Sequence, residues 1–290
     1  MADIAQLLRG AVETHVHSSP DVVPRRLDDF ELARQAEEAG LRAVVLKSHH
    51  TLTADRAQHV RKAVPGVETF GGLALNYPVG GLNPIAVETA LNFGARVIWM
   101  PTFHAANHVA KMQHAGDSPL LRALGSCPDG GIAIRDGGGQ LKPVVHAILR
   151  LIAERDATLA TGHLAPAETE ALVDAALAAG VRRVLVTHPE LDIIAMPLEM
   201  QARLAQKGAM LERCFIVTTM GFNAKRLAEA IRAVGVASTV MATDFGQLVN
   251  PPPVEGLRAY VRAMLDEDFA GAEIEQMLHY NPAKVLGLES

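Results

Sequence analysis

The chain has 290 residues, 49% of them hydrophobic, with 27 basic and 32 acidic side chains for a formal net charge of −5. Roughly 250 residues is a usual size for one α/β barrel, so the length requires no second domain, and a chain this long buries a core without covalent staples. The mild acidity disfavours nucleic acid or an anionic membrane as the main partner, and a single domain over 1–290 acting on a small molecule is expected.

Short Val/Ile/Leu runs alternate with Ala-rich, charge-bearing stretches of helical period, the rhythm of repeated βα units and a parallel sheet. The first strand is expected over 11–17 and a helix over about 28–39, ending at Gly40, a favourable residue just past a helix. Strand 2 covers 41–47 with a helix at about 53–63, and strand 3 lies near 69–75, followed by a helix at 84–93. Strand 4 covers 95–100. The rhythm then breaks over 104–143, where a helix at about 118–124 and a β-hairpin around the Gly-rich run at 137–139 are expected. It resumes with a helix at 143–154, strand 5 at 158–161, a helix at 166–179 and strand 6 at 183–187. A helix at 197–207, strand 7 at 209–213 with an extension over 214–219, and a helix at 222–233 follow. Strand 8 at 238–242 and helices at 254–266 and 271–278 complete the series. Eight strand–helix pairs point to a (β/α)8 TIM barrel with a hairpin inserted after strand 4. The rival, a doubly wound open sheet, lacks its Gly-x-Gly-x-x-Gly after strand 1.

Chemistry concentrates where strands end, which in a barrel is the functional rim. His15 and His17 are two apart on the first strand, so both imidazoles can face one metal, although two rim histidines would read the same way. His163 follows strand 5, His188 follows strand 6 and Asp244 follows strand 8, at matching height. Four histidines and one aspartate on matching ends point to a metal site. Lys47, His49 and His50 close strand 2 and His104 follows strand 4; each of these histidines contacts substrate, completes a ligand set or merely lines the rim. Arg25 and Arg26 either pair with a substrate carboxylate or phosphate or are solvated loop charges. Glu212, polar within an apolar strand, can hydrogen-bond a ligating histidine. His59, His108, His114, His146 and His279 read as structural or surface residues. Cys127 and Cys214 are no disulfide framework and suit a reducing cytosol. The opening residues lack a signal-peptide pattern and no apolar run suits a membrane helix, so a cytoplasmic enzyme, which can associate as a homo-oligomer, is expected.

The set His15-x-His17, His163, His188 and Asp244, with the closing Asn281-Pro282-Ala283, resembles the amidohydrolase superfamily, including its phosphotriesterase- and dihydroorotase-like branches. The resemblance spans about 11–288. It implies one or two divalent ions, zinc foremost with manganese, nickel or iron as alternatives. It assigns His15, His17 and Asp244 to an inner metal, and His163 and His188 to a second metal or to substrate. Asp244 would take the proton from the attacking water. Such enzymes often bridge two metals with a carbamylated lysine or a glutamate on strand 4, which has neither here; Lys47 is the substitute, otherwise an anion-binding or rim lysine. The implied reaction is hydrolysis of an amide, cyclic amide or ester (lactone). A phosphoesterase and a metal-dependent decarboxylase are the alternatives, and a non-enzymatic binding module is disfavoured by the clustered ligands. His49-His50 only half fits the Asp-His-Asp motif that one phosphatase group carries on strand 2.

Overall fold

The computed structural model describes residues 3–112, 127 and 130–288. Eight strands, β1 (Val12–Val16), β2 (Ala43–Leu46), β3 (Glu68–Ala74), β4 (Val97–Trp99), β5 (Thr158–Ala160), β6 (Arg183–Thr187), β7 (Met210–Cys214) and β8 (Thr239–Ala242), pair in parallel in chain order. The sheet curls until its last strand meets its first. There, the Asp244 N–H donates to the His15 carbonyl (2.9 Å) and the His17 N–H to the Phe245 carbonyl (2.8 Å). Gly246 lets the strands come this close, since a Cβ at its position would overlap the His17 carbonyl. The result is a (β/α)8 barrel.

Two packed layers hold it. Val45, Trp99, Ala160, Leu185 and Val240 fill the barrel interior and meet Val285 and Leu286 of the last helix, Asn281–Leu286, which plugs the end opposite the strand C-termini. That helix is fastened by Asn281 Nδ2, which donates to the Thr239 carbonyl (2.6 Å), and by Thr158 Oγ1, which donates to the Val285 carbonyl (2.6 Å). Outside, the helices bury one stripe each. In Pro143–Glu154 the buried residues are Val145, Ile148, Leu149 and Ile152, a spacing of three, one and three. Each contributes about 1.5–3 kcal/mol relative to an exposed side chain, as an upper bound. The Asp29–Glu38 helix starts in a capping box between Asp28 and Glu31.

The inserted segment differs from expectation. The β-hairpin is not confirmed: the described residues of this segment make one antiparallel bridge, Arg135 to Leu141. Asp136 Oδ1 accepts the Gly138 and Gln140 amides (2.9 and 3.0 Å), and backbone bonds from Asp136 N–H to the Gln140 carbonyl (2.8 Å) and from Gly139 N–H to the Asp136 carbonyl (3.0 Å) close the turn beside it. A helix not anticipated, Ala106–Met112, precedes it, and the helix expected at 118–124 falls outside the described residues. The helix expected at 271–278 ends at Glu275 and gives way to a π turn over Gln276–Tyr280. Among the described residues no helix is long and apolar enough to cross a membrane.

Candidate metal centre

His15 lies near the end of β1 and His17 just past it; a register shift between Glu13 and Val16 turns both rings to the rim. Asp244, two residues beyond β8, reaches between them: its Oδ1 is 3.1 Å from His15 Nε2 and 3.0 Å from His17 Nε2. His188, directly after β6, places Nε2 3.7 Å from Asp244 Oδ2. Donors bound at about 2.0–2.2 Å around one cation stand about 3.0–3.5 Å apart, so this spacing fits a divalent ion. Asp244 (φ 56°) and His188 (φ 44°) both hold left-handed backbone, a strained state for residues with a Cβ that recurs at functional sites.

His163 stands in the next layer, its ring 5.4 Å from that of His188. Gly162 (φ 62°) puts it there; a Cβ at 162 would overlap the Met100 and Pro101 carbonyls. Lys47 is buried, with Nζ 2.8 Å from His15 Nε2. His49 stacks on His17 (4.8 Å between centroids) and is fixed by Thr102 Oγ1 at 2.9 Å from its Nδ1. His104 packs edge-on against Tyr77. Arg25 lies over His17, with a guanidinium nitrogen 3.3 Å from Nδ1, and is held by Asp21, whose other oxygen faces His50 Nδ1 at 3.2 Å. Arg26 turns away and donates to the Leu248 carbonyl.

Glu212 on β7 completes the inner histidine: Oε2 is 3.0 Å from His15 Nδ1, and Oε1 accepts from Thr14 Oγ1 at 2.7 Å. An acceptor at Nδ1 keeps the proton there and leaves the Nε2 lone pair for a cation.

Several functional contacts were not anticipated. Glu13 Oε1 accepts the His15 N–H (3.1 Å), and the Thr243 N–H lies 3.0 Å from Oε2, so one buried carboxyl ties together the backbone beside two candidate ligands. His108, read as structural, meets His163 Nδ1 to Nδ1 at 2.8 Å. Cys214 Sγ is 3.7 Å from His15 Nδ1 and joins His15 and His188 in a second possible donor trio. Glu13 and Cys214 sit inside ordinary-looking strands, and His108 is 55 positions from its partner, so nothing local marked them.

Burial sets the electrostatics. It pushes His17 down to about 3, helped by Arg25, and His108 down to about 4, helped by His104. It holds His49, His163 and His188 well below the usual imidazole range, with nearby positive groups adding to it. These rings are neutral near pH 7, the form that ligates. His15 differs: burial and then Lys47 pull it down, but Asp244 and Glu212 outweigh them and its net shift is upward. Burial opposes ionisation of Asp244, yet His15 and His188 overcome it and hold the carboxyl well below its usual range. Burial lowers Lys47, and it raises Glu13 to about 8.

The barrel has structural relatives with low sequence identity. It matches an amidohydrolase from Pseudomonas aeruginosa with a TM-score of 0.65 at 12% identity, covering 98% of each chain. It matches the phosphotriesterase homology protein from Escherichia coli at 0.57 and 14%, covering 96% of this chain and 99% of that one. The organophosphorus hydrolase from Deinococcus radiodurans matches at 0.60 and 14%, covering 99% and 94%. At such identity the likeness establishes the shared barrel. A comparison with curated protein sequences finds no match. A family model matches residues 10–212, a span that includes His15, His17, Lys47, His163, His188 and Glu212 and stops before Asp244. By that match over more than half of its length, the chain belongs to DUF6282, a family of unknown function.

Proposed function

We propose that this chain is a metal-dependent hydrolase that directs a water onto an amide, cyclic amide or ester (lactone) bond of a small molecule. The observation that carries this reading is the placement of Asp244 Oδ1 at 3.1 and 3.0 Å from two imidazole nitrogens at a barrel rim. His15, His17 and Asp244 would hold the inner ion, and His188 with His163 a second ion or the substrate. Zinc fits the nitrogen and oxygen donors, as do manganese, nickel and iron. A divalent ion held there would polarise the scissile carbonyl and acidify the attacking water.

The chain's own groups supply the rest. Asp244, ionised among imidazoles, accepts the water's proton and returns it to the leaving group. Glu212 fixes the His15 ring. His49, His50 and His104 line the approach, and Arg25 makes the site attractive to an electron-rich or anionic substrate. Lys47 in its neutral form, which burial favours, would take up carbon dioxide with loss of one amine proton and, as a carbamate, would supply a carboxylate ligand to the ions. Lys47→Met should then abolish one of two bound ions. If it instead strengthens binding, Lys47 is an ammonium competing with the cation.

The names of the structural relatives, an amidohydrolase and an organophosphorus hydrolase among them, support hydrolysis in this barrel. Phosphoester hydrolysis is the second reading, favoured by the cationic Arg25 beside the donors. The test is elemental analysis of the purified protein, then amide, lactone and phosphoester substrates with and without chelator, in wild type, His15→Ala and Asp244→Asn. About one or two ions per chain and chelator-sensitive turnover lost in both variants are expected. A protein that takes up no ion after loading, or variants that turn over like wild type, would overturn the reading. Release of carbon dioxide without hydrolysis would mark a decarboxylase instead.

A further inference from the structure

Among the rim histidines outside the ligand set, His49 is held by a network that fixes where its proton sits. Asn76, two residues past β3, starts the chain of contacts. Its Oδ1 accepts the backbone N–H groups of Thr102 (2.9 Å) and His104 (3.2 Å). Its Nδ2 is therefore the atom that donates to the His49 carbonyl (2.9 Å) and to Thr102 Oγ1 (2.6 Å). Thr102 is fully buried, so its hydroxyl, having accepted from Asn76, must place its own proton on a neighbour. The acceptor within reach among the described residues is His49 Nδ1, at 2.9 Å. A ring that accepts at Nδ1 is neutral and carries its proton on Nε2.

The surroundings leave that N–H for a partner from outside the chain. His49 stacks flat on His17 and on Phe103, 4.8 and 3.7 Å between centroids, and meets His163 edge-on at 6.3 Å. Its Nε2, on the side of the ring away from Thr102, has no hydrogen-bond partner among the described residues. Unlike His50 Nε2, it is not sealed from solvent, and it joins neither candidate donor trio. We infer that His49 is a catalytic residue of the reaction proposed above, an inference that rests on the hydrolase reading: its Nε2–H donates to the oxygen of the scissile carbonyl. The contact strengthens as that oxygen gains charge when water adds. No proton changes hands in it. With Nδ1 taken by the Thr102 hydroxyl the ring is no base, and the water's proton stays with Asp244. Thr102 and Asn76 act through His49 and are positioning residues.

Two readouts on the zinc-loaded, full-length protein test this role. Proton–nitrogen NMR of labelled histidine rings, with His49 assigned by its absence from His49→Phe, should show a neutral ring protonated on Nε2. Inorganic phosphate, whose oxygens accept hydrogen bonds, should shift that N–H. In His49→Phe, which keeps the stacked ring and loses both nitrogens, kcat on the amide or lactone that wild type hydrolyses should fall about a hundredfold, with KM and zinc content little changed. His49→Gln, whose amide nitrogen reaches the place of Nε2, should recover about tenfold of that loss. Thr102→Val should let the proton move to Nδ1 and lower kcat, while Thr102→Ser should behave as wild type. A proton on Nδ1, an N–H indifferent to phosphate, or wild-type kcat in His49→Phe overturns the inference. Wild-type protein that takes up no zinc or hydrolyses nothing sinks the hydrolase reading instead; the proton's place and its response to phosphate still decide whether His49 is a donor to ligand.

Discussion

Replacing Glu212 by Gln keeps the side chain's shape and removes its charge, which makes it a clean probe of how His15 is held. In the native arrangement Glu212 serves two partners in a fully buried place, His15 Nδ1 at 3.0 Å and Thr14 Oγ1 at 2.7 Å. Gln offers one oxygen and one NH2 group. If the oxygen stays on His15, the NH2 faces Thr14, whose hydroxyl must rotate to accept; if the amide turns the other way, two N–H groups confront each other at His15. Either way the charge that strengthens the hydrogen bond and raises the basicity of Nε2 is gone. Outer partners of this kind are worth 10–100-fold in metal affinity, about 1.4–2.7 kcal/mol. Competition with a chromogenic chelator, at fixed pH, should show that weakening for Glu212→Gln while the urea midpoint moves little. An unchanged affinity in a correctly folded variant would refute the assignment of His15 as a ligand oriented by Glu212.

Other outcomes follow from the same geometry. Glu13→Ala strands the buried His15 and Thr243 amides and should cost about 2–5 kcal/mol by urea unfolding, while Glu13→Gln, which retains an acceptor, should recover most of it; equal losses in both would show that the hydrogen bonds are not the cause. Gly162→Ala should cost more than about 2 kcal/mol and loosen metal binding through His163, since its φ of 62° and the neighbouring carbonyls leave no room for a Cβ. For pH, burial lowers His108 to about 4 from 6.5, so the unfolded chain binds the extra proton between those values. The stability this neutral ring contributes is present above pH 6.5 and is lost as pH falls toward 4, by up to about 3 kcal/mol. Chelator-treated protein should therefore show a falling urea midpoint from pH 7 to 5, with a shallower fall in His108→Gln; parallel profiles would count against it.

The repeating units were readable because apolar runs and punctuation agree. β6 begins at Arg183 and ends at Thr187 as its Val-Leu-Val run suggests. β1 spans Val12–Val16 rather than 11–17, and within it the register with β2 shifts between Glu13 and Val16, where the His15 amide turns to a side chain. The segment after β4 lacked any period to read. Ala106–Met112 carries Asn107, His108 and Lys111 instead of a clear apolar stripe, and its purpose shows only when His108 meets His163. The rim histidines could be listed from position alone and Glu212 from its polarity within an apolar strand, whereas Glu13, His108 and Cys214 could not. Arg25 was visible as a charge, but its clamp by Asp21 over His17 depends on a loop fold that no local pattern encodes.

The seam between β1 and β8 has a consequence for synthesis in the cell. His15 and His17 are synthesised well before Asp244, with six strands of the barrel between them, yet the same few hydrogen bonds that join β1 to β8 also bring the three together. A nascent chain halted before residue 244 would display its imidazoles without the carboxylate between them, and the three donors come together only once β8 closes on β1.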